Sequence, residues 1–76
     1  MMGRRRNWKR VRQKRDKRLA QALAVLERHR TQKEFGLATS ISDVKAREWA
    51  HYAQDLRDIT LQKGAGPIIW PEEPGT

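Results

Sequence analysis

Seventy-six residues with 37% hydrophobic content leave room for one small core, and a formal charge of +8 at pH 7 has to find a partner or a purpose. The absence of cysteine excludes a disulfide scaffold and any thiolate metal site. No apolar run approaches the roughly 20 residues that span a bilayer, and the basic start is not followed by the apolar core of a signal peptide, so a soluble, cytoplasmic protein is expected, with no membrane partner.

The charge is concentrated at one end. Residues 1–18 hold ten Lys or Arg against Asp16 alone, a net of +9, while residues 19–76 hold seven basic and eight acidic groups, a net of −1. Such asymmetry implies that the N-terminal stretch meets a polyanion or an acidic protein surface, and it says little about the rest.

Met1 to Arg6 is expected to be a flexible basic arm, because Arg4, Arg5 and Arg6 repel one another and nothing there can be buried. Residues 7–76 are read as a single domain. From Asn7, a candidate N-cap, to Glu34 there is neither proline nor glycine, and Ala, Leu, Arg, Lys, Gln and Glu dominate, so a helix over about 7–34 is predicted. Trp8, Val11, Leu19, Ala22, Leu23 and Leu26 supply its apolar stripe, interrupted by Arg15. The cations of the first turns oppose the helix dipole, which costs roughly 0.3–1 kcal/mol each. Phe35 and Gly36 end the pattern, and Ser42 followed by Asp43 reads as the cap and first turn of a second helix over about 43–63. The eight-residue link 35–42 suits an antiparallel helical hairpin, in which Leu19, Leu23 and Leu26 would meet Leu56, Tyr52 and Trp49.

The second helix carries the sharper stripe: Trp49, Tyr52, Ala53, Leu56, Ile59 and Thr60 follow the i, i+3, i+4, i+7 rule. Gly64 can take the left-handed conformation that ends a helix and Pro67 cannot continue one, so the tail 64–76 is expected to turn back and lie extended on that helix. The fold class is therefore all-α, a hairpin with a packed tail, in which Trp70 docks on Tyr52 and Leu56 and the cationic leader is an appendage.

The segment Trp49 to Pro74 resembles the C-terminal signature of tail assembly chaperones of tailed bacteriophages. It has Trp49 three residues before Tyr52, then Leu56, Arg57, Asp58 and Ile59, then Gly66 and Pro67, and finally Trp70, Pro71 and Pro74 in the arrangement Trp-Pro-x-x-Pro. Upstream, the basic run from Val11 to Leu19 loosely resembles the short basic helix of that family. The acidic, proline-containing segment usual next in the family is replaced here by residues 21–40, and Ala53 stands where arginine is common. The resemblance implies binding and not catalysis, with phage tail or other virion proteins as partners and the host cytoplasm or the virion as location. The signature residues together with Ile68 and Ile69 would be the partner-contacting set. A minor tail or virion structural role belongs to the same reading, and self-association is a further option.

A second class of function stays open. Arg4, Arg5, Arg6, Trp8, Lys9, Arg10, Arg12, Lys14 and Arg15 look like an arginine-rich helix that can contact structured nucleic acid or, equally, an acidic protein. Arg57 is a candidate clamp on the carbonyls of the returning tail; the alternative is an exposed ion pair with Asp58. No catalytic constellation is expected, since His29 and His51 have no nucleophile pattern beside them. Glu48 and His51 have Glu-x-x-His spacing, but a metal site of that kind needs a second pair, so neither metal nor cofactor is expected.

Overall fold

The computed structural model describes residues 7–62 and 66–75; the expected arm 1–6 and the turn at Gly64 lie outside the described residues. Two helices, α1 (Trp8–Glu34) and α2 (Asp43–Arg57), pack antiparallel, followed by a 3₁₀ turn (Asp58–Leu61), and no strand occurs among the described residues. The molecule is elongated, 60 × 18 × 17 Å.

Asn7 caps α1, its side-chain oxygen accepting from the Arg10 amide at 3.2 Å, and no acid follows in the first turn to offset the dipole. The other end closes in a Schellman arrangement. The Leu37 amide reaches the Gln32 carbonyl at 2.8 Å and the Gly36 amide that of Lys33 at 3.3 Å. Gly36 makes this turn at φ +67°, a conformation that any side chain would strain. Ser42 caps α2 as its sequence context predicts, accepting from the Lys45 amide at 3.0 Å, with Asp43 in the first turn and Arg57 in the last.

The α-helix stops at Arg57, six residues short of the expected end, and tightens into the 3₁₀ turn. With three residues per turn, i and i+3 lie in line, so Ile59 follows Leu56 inward and is 1% exposed, while Thr60, expected in the stripe, is turned to solvent.

The core is built on α2. Trp49, Tyr52, Ala53 and Leu56 form one buried cluster with Ala22 of α1, and Leu19, Val25, Leu26, Ile41 and Trp70 pack around it. The Trp49 and Tyr52 rings meet edge to face, 5.7 Å between centroids at 83°. Two large rings from α2 occupy the space between the helices, and the α1 residue buried in full against them is the small Ala22. This rotates Leu23, expected inside, to 41% exposure and brings Val25 in instead.

Candidate functional site

The tail from Pro67 to Gly75 is in neither helix nor strand, with prolines at 67, 71 and 74 that lack the amide hydrogen a helix needs. Successive residues of an extended chain face opposite ways. Accordingly Ile68 and Trp70 are half-buried, and Ile69 between them is 79% exposed. Beyond Trp70, Pro71 and Pro74 are half-buried, whereas Pro67, Glu72 and Glu73 are exposed.

Two devices hold the segment. The Gln62 carboxamide grips the main chain of Ile69 on both sides: its Nε2 donates to the Ile69 carbonyl at 2.7 Å and its Oε1 accepts from the Ile69 amide at 2.9 Å. Trp70 packs against the core cluster and carries two cations over its ring, Lys14 Nζ at 4.8 Å and Arg18 Cζ at 5.0 Å from the centroid. Lys14 and Arg18 are one helical turn apart and so share a face of α1. Each such contact is worth about 0.5–1 kcal/mol at an exposed site. The leader is therefore no mere appendage: α1 outruns α2, and the tail packs against the surplus. Beside the tail runs a shallow cleft of ≈ 310 Å³, bounded by Asp55, Asp58 and Gln62 on one side and by Ile69, Trp70 and Pro71 on the other.

The residues singled out from sequence fall into three groups. Trp49, Tyr52, Leu56 and Ile59 are interior, so they support the surface and do not form it. Ile69, Trp70 and Pro71 come together in the tail beside Asp58, whose carboxylate accepts from Gln54 Nε2 at 3.2 Å. Arg57 is exposed, and the main-chain grip foreseen for it belongs to Gln62. Gln62 carried no signal beyond its place just ahead of the turn, and Arg18 could be suspected only from its spacing to Lys14.

On the basic stretch, Lys9, Arg10, Arg12 and Lys17 are exposed, and no acid pairs with them among the described residues. Trp8 is half-buried. Arg15, at the interruption in the stripe, has a side chain only 17% exposed and bonds Asp16 at 2.6 Å. Arg4, Arg5 and Arg6 lie outside the described residues.

At the opposite end of the hairpin, Asp43 receives His29 Nε2 at 3.0 Å and Lys33 Nζ at 3.1 Å. The Lys33 hydrogen bond and charge, then the His29 hydrogen bond, hold its carboxyl below the ordinary carboxylate range. His51 is exposed and Glu48 is bonded to Lys45 at 3.1 Å. Among the described residues no three His, Asp or Glu converge as metal ligands.

A family model described as phage tail assembly chaperone protein matches residues 8–75. The chain belongs to that family. The match runs through α1 as well as the tail, so family membership embraces the long basic helix that the C-terminal signature alone left unassigned. Neither the curated proteins nor the solved structures gave a match. No helix among the described residues is long and apolar enough to cross a membrane.

Proposed function

We propose that this tail assembly chaperone family member acts without catalysis, by binding a phage tail component through the tail segment Pro67–Pro74 during particle assembly in the host cytoplasm. The observation that carries the reading is Ile69. It is a large aliphatic side chain, 79% exposed, yet fixed at both main-chain polar groups by Gln62 and next to the seated Trp70. A residue whose main chain is already held has less backbone entropy left to lose on binding, which favours an interface contact. Asp55 and Asp58 beside the cleft add a rim for a basic or hydrogen-bonding neighbour. Co-expression with the tail proteins of the same phage tests this. The tagged chain should capture one of them, and Ile69→Asp should abolish the capture while leaving the helical circular dichroism unchanged. Capture that survives both Ile69→Asp and Trp70→Ala overturns the reading. Mass spectrometry of purified particles separates an assembly factor, absent from them, from a minor structural subunit, retained in them.

A second reading rests on a separate observation. Lys9, Arg10, Arg12 and Lys17 stand exposed along one stretch of α1 with no acid pairing with them, an arrangement suited to phosphate or to an acidic partner. An RNA hairpin and a DNA duplex titrated at two salt concentrations distinguish the two. Affinity that falls steeply with salt supports nucleic acid, and no binding at low salt removes it.

A further inference from the structure

The basic stretch of α1 and the seat of the tail have a residue in common. At about 100° per residue, Arg10, Lys14 and Lys17 fall within an arc of about 60°, and Arg18 lies about 40° beyond Lys14. On one side of Lys14, Arg10, Gln13 and Lys17 join it in lining a shallow cleft. On its other side is the tail, with Lys14 Nζ 4.8 Å and Arg18 Cζ 5.0 Å from the centroid of the Trp70 ring. All four cleft residues are exposed, and the three cations pair with no acid among the described residues.

The make-up of the cleft decides which polyanion it fits. Protein interfaces are anchored by aromatic and aliphatic groups around a desolvated centre, and none lines this cleft. A nucleic-acid backbone is held by Arg, Lys and carboxamide side chains, which is the set present here. The seated tail acts against such a ligand in two ways. A cation is drawn to a ring electrostatically, so a phosphate beside Lys14 weakens its contact with Trp70 whether or not the ammonium moves. Glu72 and Glu73, both exposed, follow the ring within about 11 Å of chain, close to the roughly 8 Å range of charges at physiological salt. No basic residue stands between Gly66 and Gly75 to offset them, so the docked tail repels the same phosphates.

We infer that the α1 face of Arg10, Gln13, Lys14 and Lys17 takes the phosphate backbone of a nucleic acid, and that its occupation and the seating of Trp70 oppose each other, chiefly through Lys14. The inference rests on nucleic acid as the ligand of the basic stretch and goes beyond it. Nucleic acid on α1 loosens the segment that carries Ile69, so the two binding surfaces of the chain work against one another. Coupling of this kind is reciprocal, and the loss of one cation–ring contact sets its size at about two- to fivefold.

The probes are a mixed-sequence DNA duplex and an RNA hairpin of equal phosphate number, with a polyglutamate peptide of equal charge as the protein-like control, each titrated into the ¹⁵N-labelled full chain at low salt. At least one nucleic acid should bind, and the Ile69 amide, held by Gln62, should then exchange about two- to fivefold faster. Lys14→Gln and Lys17→Gln should each lower the salt slope of binding by about one, since each removes a phosphate contact. Only Lys14→Gln should also remove most of the quickening at Ile69. Trp70→Leu keeps an apolar group in the seat but removes the ring, and should tighten nucleic acid about two- to fivefold with the helical circular dichroism retained. Ile69 exchange that ignores bound nucleic acid overturns the coupling, and so does a Trp70→Leu chain of full helicity whose affinity is unchanged or lower; either result leaves nucleic acid as the ligand of α1. Quickening that survives Lys14→Gln overturns the role of Lys14. No binding of either nucleic acid, or tighter binding of polyglutamate, overturns the coupling and the nucleic-acid reading together.

Discussion

At the connector end, α1 and α2 are joined by a short link and tied by exposed polar contacts: Asp43 to His29 and Lys33, and Gln32 to both the amide (2.9 Å) and the hydroxyl (3.0 Å) of Ser40. The other end is built differently. There α1 continues past the last turn of α2, and the tail is pinned to α1 by one aromatic ring and to the end of the 3₁₀ turn by the Gln62 carboxamide. A short link already keeps its two ends close, so modest polar ties suffice to set the geometry. The open end has no such help, and closing it takes a large apolar group. The lesson is that Trp70, standing far from the buried centre in sequence, completes the core, while the cations beneath it serve as its seat.

The strongest challenge to this division is Leu56→Ala. Leu56 is fully buried in the cluster both ends share, and its truncation should cost about 2–5 kcal/mol, enough to unfold a domain of this size; thermal unfolding followed by circular dichroism reads it. If only the tail loosens, the two ends are not cooperative. Trp70→Ala comes next. Since Trp70 is half-buried, roughly half of the 3–5 kcal/mol of a fully buried aromatic is expected, about 2 kcal/mol. Hydrogen exchange should lose protection over residues 8–18 and keep it over 22–33; uniform loss would erase the contrast between the ends.

Gln62→Ala should cost about 1 kcal/mol and raise the mobility of the Trp70 indole, since it removes both hydrogen bonds to Ile69. Arg57→Ala, by contrast, should stay within about 0.5 kcal/mol, as for an exposed position outside any network. The smallest effect belongs to the connector end and to acid. Asp43 has its folded pKa lowered by Lys33 and His29, so its contribution is complete above the unfolded value of about 3.9 and is lost as pH falls through the lower folded value. Because the carboxylate is exposed, the loss should be slight and confined to pH below about 4. Asp43→Asn should flatten that part of the stability profile without altering the tail.

Much of this was legible in the chain. Asn7, Gly36 and Ser42 marked helix ends because each solves a local problem: an orphan amide, a left-handed turn, a first-turn cap. The stripe of α2 was equally plain, as its rings recur at helical spacing. The spacing of α1 places Leu23 inside and passes over Val25, because spacing alone cannot say which of two nearby apolar positions faces inward. Gln62 gives no sign of its grip on Ile69 for a related reason: periodicity runs on unchanged where the backbone tightens to a 3₁₀ turn.

The sequence by itself therefore determined the two helices, their caps, the hairpin and the extended character of a proline-spaced tail, all of which follow from neighbours a few residues apart. Only the tertiary structure decided that Ala22 is the α1 residue buried in full, that Gln62 grips Ile69, and that Lys14 and Arg18 lie over Trp70. Those outcomes depend on the bulk of Trp49 and Tyr52 between the helices and on how far α1 outruns α2, and no single stretch of chain contains either quantity.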